Sequence, residues 1–185
     1  MMKTETRSIE IRALEENEDM IVEGYAVTFN SETNLYENVY EQISSNAFNG
    51  VDFSDVRAFY DHQSSNLLGR TKTGTLQLNT DDSGLKFRLQ LPNTQLGRDV
   101  YELVKRGDLS QCSFGFMVKS DTWSYNANTD TYHRTIDQIG KLVEVSLVSI
   151  PAYDDTTVAV AQRSQKAFKE QKRKLELELD ILELM

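Results

Sequence analysis

Apolar and polar positions alternate with period two through most of the first 150 residues, and only two stretches break into helical spacing. Ser8-Ile9-Glu10-Ile11-Arg12 alternates, the polar run 15–19 turns, and Met20 to Phe29 resumes the strand pattern, which predicts a β-hairpin over 7–30. Residues 30–34 read as loop, 38–43 as a strand, 46–48 as a short helical turn, and 55–60 as a strand running straight into Asp61-His62. A second hairpin is predicted where Thr75-Leu76-Gln77-Leu78 and residues 85–91 flank the turn Asp81-Asp82-Ser83-Gly84. Thr94 is an N-cap for a helix whose apolar face carries Leu96, Val100, Leu103 and Val104, and Gly107 ends it. Strands follow at 111–118 and 142–150, with a polar hairpin between them that turns at 126–128.

From Gln162 onward the character changes. There is no Gly and no Pro, and Ala161, Phe168, Leu175 and Leu182 recur every seven residues with Leu179 on the same stripe. Residues 163–174 hold six Lys/Arg and one Glu, whereas 175–185 hold four Asp/Glu and no Lys/Arg. The predicted organisation is a β-rich α+β domain over 1–161 and a helical tail over 162–185.

Composition narrows the chemistry. The 185 residues carry a net charge of −9, which argues against nucleic acid as a partner because phosphate binding needs a basic surface. One cysteine and two histidines exclude a disulfide framework and a multi-Cys or His-rich metal site, so neither a metal nor a cofactor is expected. No apolar run approaches the length of a membrane span, no signal-peptide core is present, and the chain reads as soluble and intracellular.

The informative segment is Gln111-Cys112-Ser113-Phe114-Gly115-Phe116-Met117-Val118. As a strand it places Cys112, Phe114, Phe116 and Val118 on one face and Ser113, Gly115 and Met117 on the other. The first is a core face. The second sets a hydroxyl beside a residue without a side chain, which is either a solvated strand face or a groove that a substrate backbone can approach. A serine nucleophile at neutral pH needs a base, and His62 and His133 are the two histidines available. His62 follows a strand, whereas His133 lies in the polar hairpin. Glu144, within the apolar Leu142-Val143-Glu144-Val145, is either an outward-facing acid or the carboxylate that orients His62. Cys112 is the rival nucleophile, but an apolar face raises a thiol's pKa and makes it inert.

The chain resembles the phage prohead (capsid-maturation) serine protease family. The matching pieces are residues 22–30 (Val22-Glu23-Gly24-Tyr25-Ala26), Val56-Arg57-Ala58-Phe59-Tyr60-Asp61-His62, Leu68-Gly69-Arg70-Thr71, Gly74-Thr75-Leu76, and Asp82-Ser83-Gly84-Leu85. Arg106-Gly107-Asp108-Leu109-Ser110-Gln111-Cys112-Ser113-Phe114-Gly115-Phe116 and the segment from Leu142 to Tyr153 complete the match, in the family's order. The resemblance implies a fold like herpesvirus assemblin: a closed or nearly closed antiparallel β-barrel ringed by helices. It implies a serine endopeptidase with base His62 and nucleophile Ser113. Assemblin's third member is a second histidine on a strand after the nucleophile. Glu144 is assigned that place here. Arg70 or backbone N–H groups, with Gly115 in the substrate groove, are the candidate oxyanion donors. The family acts in the host cytoplasm, inside the immature capsid, where it trims scaffolding segments from the major capsid protein and often cuts itself. The C-terminal helix would then pack on a scaffold helix, on its own copy, or on this chain's barrel. The competing reading is a non-catalytic assembly protein that retains the protease fold.

Overall fold

The computed structural model describes residues 5–16, 19–149 and 155–183, and the predicted stop at Ile150-Pro151 lies outside them. Ten strands and two α-helices make a mixed α+β, strand-rich architecture among the described residues. The predicted first hairpin is β1 (Glu5–Glu16) and β2 (Asp19–Thr28). β3 (Thr33–Tyr36) occupies part of the expected loop, and β4 (Val39–Ile43) follows it. Consecutive turns run from Ser44 to Val51, where the sequence predicts helical character. β5 (Arg57–Tyr60) is followed at once by β6 (Gln63–Arg70), which begins on the polar run Gln63-Ser64-Ser65-Asn66. The second predicted hairpin is β7 (Leu76–Thr80) and β8 (Gly84–Gln90).

Helix α1 (Gln95–Arg106) has the predicted ends. Thr94 Oγ1 accepts the Gly97 N–H at 3.2 Å, and Gly107 closes the helix at φ 83°. That left-handed conformation is one a Cβ-bearing residue resists. Val100 and Val104 are buried against the sheet.

β9 (Gln111–Asn126) and β10 (Thr131–Val148) form a long antiparallel pair that is the spine of the molecule. The sheet runs β3-β4-β10-β9-β1-β2-β8-β7. β5 also pairs with β10, and β6 pairs with β5. β10 is long enough to hold two short strands in tandem along one flank: β4 against its first third and β5 against its last.

The resemblance implies a closed or nearly closed antiparallel barrel, and no closed barrel is found among the described residues. Both β4 and β5 run parallel to β10, because the chain crosses over between them and returns in the same direction. The path ends at β3 and at β7, and no ladder among the described residues joins those edges. Two helices do not ring it either.

The main core packs Cys112, Phe114, Phe116, Val145, Leu147 and Ala58 against Val22, Leu85, Phe87 and Leu89, with α1 over it. Phe114 and Phe116 stack with ring centroids 4.8 Å apart, so the face split read from the sequence is the one formed.

At the far end of the spine lies a second cluster. Helix α2 (Asp155–Glu183) begins before the predicted residue 162, and its Ala161 packs with Leu35 and Val39 beside Trp123 and Tyr132. A buried ion network sits under this contact. Arg134 donates to Asp121 at 2.6 Å and to Glu41 at 2.9 Å, so the cost of burying its charge is offset by two carboxylates. Trp123 Nε1 donates to Ser164 at 2.8 Å, and Ser164 donates to Asp121 at 2.8 Å, which ties the helix to the network.

Candidate active site

His62 is presented by a two-residue turn. Tyr60 pairs with Gln63, and the two residues between them have positive φ, 49° at Asp61 and 57° at His62. Two successive left-handed residues match the twist of the flanking strands, and Asp and His are among the side chains that tolerate this region best. The turn is anchored to the end of β10. Asp61 N–H donates to the Leu147 carbonyl at 2.9 Å, and the Asp61 carboxylate accepts from the Ser149 N–H at 2.7 Å and its hydroxyl at 3.0 Å.

Glu144 is aimed by a bulge. Leu142 pairs with Phe116 but Glu144 pairs with Gly115, so Val143 is an extra residue in β10. An extra residue shifts the alternation by one. Leu142 and Val145 therefore both face the core, and Glu144 and Ser146 both face the opposite side. That side is the Ser113/Gly115 side of β9, since Ser146 pairs with Ser113 and Glu144 with Gly115. On β5 the same two rows continue to Phe59 and Arg57.

The structure brings His62 and Glu144 together: Nδ1 lies 2.6 Å from Oε1. Glu144 is buried and His62 is partly exposed. A carboxylate at Nδ1 places the second nitrogen, Nε2, as the one that can exchange a proton, and Nε2 is itself buried. The Ser113 hydroxyl oxygen is buried and makes no hydrogen bond, and the residue is 0% exposed. The alternative of a solvated strand serine is thus excluded. Gly115 is buried beside it.

Cys112 sits on the core face, fully buried, and burial pushes its thiol well above the ordinary range, with the Glu144 charge adding to the effect. The thiolate that nucleophilic attack needs is suppressed. Arg70, eight residues after His62, has its guanidinium held by the Asp55 carboxylate through Nη2 at 2.7 Å and through Nε. This ion pair lowers the Asp55 pKa and raises that of Arg70. Arg70 also lines a groove of about 700 Å³ with Leu67, Leu91 and Pro92, beside β6.

His133 lies where the polar hairpin rises into β10, paired with Ser124 of β9, at the end of β10 opposite Glu144. Its Nδ1 is 2.6 Å from Glu32 Oε1 and its Nε2 is 2.9 Å from Thr131 Oγ1, with Tyr40 stacked on the ring. Among the described residues no group of His, Cys, Asp and Glu could hold a metal ion. No helix there is long and apolar enough to cross a membrane.

Sequence reasoning did not find the Ser146 hydroxyl on Glu144, the Asp61–Ser149 anchor, or the bulge at Val143. A polar pair spaced two apart in an otherwise apolar strand, Glu144 and Ser146, was the available signal.

The strand-rich α+β sheet thus sets the His62–Glu144 pair and the buried Ser113 on one face. The family model for the caudovirus prohead serine protease matches residues 7–171, and the chain belongs to that family. A solved structure similar to this chain is that of the bacteriophage T4 capsid assembly protease. The identity is 10% and the TM-score 0.46, over 80% of this chain and 96% of that one. No curated protein matches the sequence.

Proposed function

We propose that this chain is a serine endopeptidase that cleaves scaffolding segments of the phage capsid protein, and itself, inside the prohead in the host cytoplasm. Ser113 is the nucleophile, His62 the base and Glu144 the orienting acid. The observation that carries this reading is the 2.6 Å His62–Glu144 contact on the face where Ser113 sits buried, one strand away. In the reaction, His62 Nε2 takes the Ser113 proton as Oγ attacks the scissile carbonyl. Glu144 stabilises the imidazolium that forms. His62 then protonates the leaving amine, and water repeats the sequence on the acyl-enzyme. No metal or cofactor enters these steps.

Because the Ser113 hydroxyl is fully buried, a substrate reaches it only after the groups covering that face move. The groove beside β6, lined on that strand by Leu67 to Arg70 and so starting five residues past His62, is the proposed seat of the substrate segment. Backbone N–H groups next to Gly115 are the proposed oxyanion donors. Arg70 could take part only by leaving Asp55.

Helix α2 is proposed to join copies of this chain. Residues 171–182 are exposed throughout, and Leu175, Leu177, Leu179, Ile181 and Leu182 are each more than half exposed. The basic first half and acidic second half complement each other when two copies run antiparallel.

Co-expression with the capsid protein, followed by mass spectrometry, tests the proteolytic reading. New capsid-protein termini that vanish with Ser113→Ala support it. Intact capsid protein, together with no labelling of Ser113 by a fluorophosphonate, assigns the chain a non-catalytic assembly role instead.

A further inference from the structure

The Glu144 carboxylate has two oxygens, and the catalytic reading uses one. Oε1 is on His62 at 2.6 Å, while Oε2 accepts a hydrogen bond from the Ser146 hydroxyl. Ser146 is fully buried and lies two residues along β10, on the same face. It is in register with Ser113 on β9 and with Phe59 on β5. Ser113, Gly115, Ser146 and Glu144 thus form a two-by-two block on adjacent strands.

A carboxylate held at one oxygen can rotate about its last bond, and the histidine bonded to that oxygen is tilted with it. A donor on the second oxygen fixes the carboxylate plane. A buried carboxylate also gains from each donor it keeps, because an unmet acceptor in such a site carries its full desolvation cost. The bulge at Val143 serves both side chains, since it turns Glu144 and Ser146 to the same side in one step.

We infer that Ser146 is a positioning residue of this site: its hydroxyl locks the Glu144 carboxylate so that Oε1 holds His62 in the productive orientation. It touches neither substrate nor the reacting atoms. The inference deepens the serine-protease reading and rests on it for its kinetic consequence, but the geometry it asserts is independent of activity.

The test compares Ser146→Ala and Ser146→Thr with the unaltered full chain. Two readouts are taken: the second-order rate of Ser113 labelling by a fluorophosphonate, and the downfield proton resonance of His62 Nδ1–H by NMR. Ser146→Ala should label about 10–100-fold more slowly, the rate equivalent of losing one hydrogen bond to a charged group. Its Nδ1 proton resonance should shift or broaden. Ser146→Thr keeps the hydroxyl and should restore most of both. Unchanged rate and unchanged resonance in a folded Ser146→Ala protein would overturn the inference. So would a Thr variant that folds with the unaltered melting temperature yet behaves like Ala. If the unaltered chain itself does not label, the protease reading fails, and the resonance comparison alone still decides whether Ser146 orients the His62–Glu144 pair.

Discussion

The two ends of β10 each carry a histidine with its Nδ1 2.6 Å from a glutamate, His62–Glu144 at one end and His133–Glu32 at the other. The pairs differ in what surrounds them. Glu144 is buried with a second donor on its other oxygen, whereas the Glu32 side chain is 42% exposed. On the face that Glu144 shares lies a buried serine whose hydroxyl makes no hydrogen bond, while the hydroxyl at His133 Nε2, Thr131, is already shared with Thr129 at 2.6 Å on the polar hairpin. Tyr125 and Tyr132 neighbour the second pair, and α2 lays Lys172 and Lys169 over their rings. One end of the spine carries the proposed catalytic residues, and the other holds a helix. A histidine–carboxylate contact is therefore not by itself a site. Water screens an exposed pair and competes for its hydrogen bonds, whereas a buried pair keeps its orientation and its electrostatic weight.

The largest break in this comparison is expected at the two hydroxyls. Ser113→Ala should reduce capsid-protein cleavage by about 10³-fold or more and abolish fluorophosphonate labelling, with circular dichroism and melting temperature little changed. Thr131→Ala should leave both activities within twofold. Cleavage retained in Ser113→Ala and lost in Thr131→Ala would reverse the assignment of the two ends.

Next come the carboxylates. Glu144→Gln keeps the shape but presents a neutral amide to Nδ1, which favours the wrong tautomer and no longer stabilises the imidazolium. A rate loss of about 10⁴-fold is the scale for removing such a charge. Glu32→Gln removes an exposed pair, and its effect on rate and on stability should be below about 1 kcal/mol. Paired pH–rate measurements on the two variants would sharpen the contrast, since only the first should lose activity at every pH.

A smaller effect is expected from the turn that presents His62. Asp61→Ala removes the acceptor for Ser149 and leaves a Cβ-bearing residue at positive φ without its local hydrogen bonds. Labelling should slow about 10–100-fold as His62 loses its fixed place. Asp61→Gly relieves the backbone cost but not the lost anchor. If Gly restores the rate in full, backbone strain rather than the Ser149 contact was what mattered.

Cys112 should show almost no effect on rate. Cys112→Ala should label within threefold of the unaltered chain, and native Cys112 should resist iodoacetamide at pH 8. Its folded pKa is raised by burial, so the folded thiol stays protonated while the unfolded one ionises. Above the ordinary thiol value the unfolded state binds fewer protons, and stability should fall as pH rises beyond about 9.

These contrasts also mark what was legible in the sequence. The alternation at Cys112-Ser113-Phe114-Gly115 fixed which face was core, and the caps Thr94 and Gly107 fixed α1, because each is a local rule acting over a few residues. Glu144 stood out as an acid among apolar neighbours. β6 did not, since Gln63-Ser64-Ser65-Asn66 has no strand pattern of its own and is a strand through pairing with β5. The parallel docking of β4 and β5 on β10 is likewise a long-range choice that no local pattern encodes. The bulge at Val143 was hidden because an extra residue is visible only against its partner strand. On α2 the heptad stripe through Leu175, Leu179 and Leu182 was readable. Leu177 and Ile181, about 200° and about 240° round the helix from Leu175, form a second stripe that the sevenfold spacing passed over.

That second stripe bears on the last prediction, where no change in rate is expected at all. Contacts between α2 and the sheet run as far as Lys172, which lies over the Tyr125 ring, and the helix continues to Glu183 with its apolar side chains exposed. A helical end of this length is marginal alone in water, and the proposed self-association would cover it. The proposed pairing with a second copy would cover one stripe, and the other, on the opposite side, would need a further neighbouring helix. Deleting 173–185 keeps the Trp123–Ser164 and Trp123–Phe168 contacts. Labelling of Ser113 should stay within twofold and melting within a few degrees, while the mass measured by light scattering falls to that of one chain. Charge reversal sharpens the result. Glu176→Lys with Glu178→Lys should weaken association, most at low salt, and adding Lys172→Glu and Lys174→Glu in the same chain should restore it. The charge swap keeps an opposite-charge pair at 172/176 and at 174/178, and the melting temperature of the swapped chain monitors the lost Lys172–Tyr125 contact. A truncated chain that still associates would place the interface elsewhere. One that unfolds would make the projecting end of α2 part of the core, and the division of labour between the two ends of β10 would not hold.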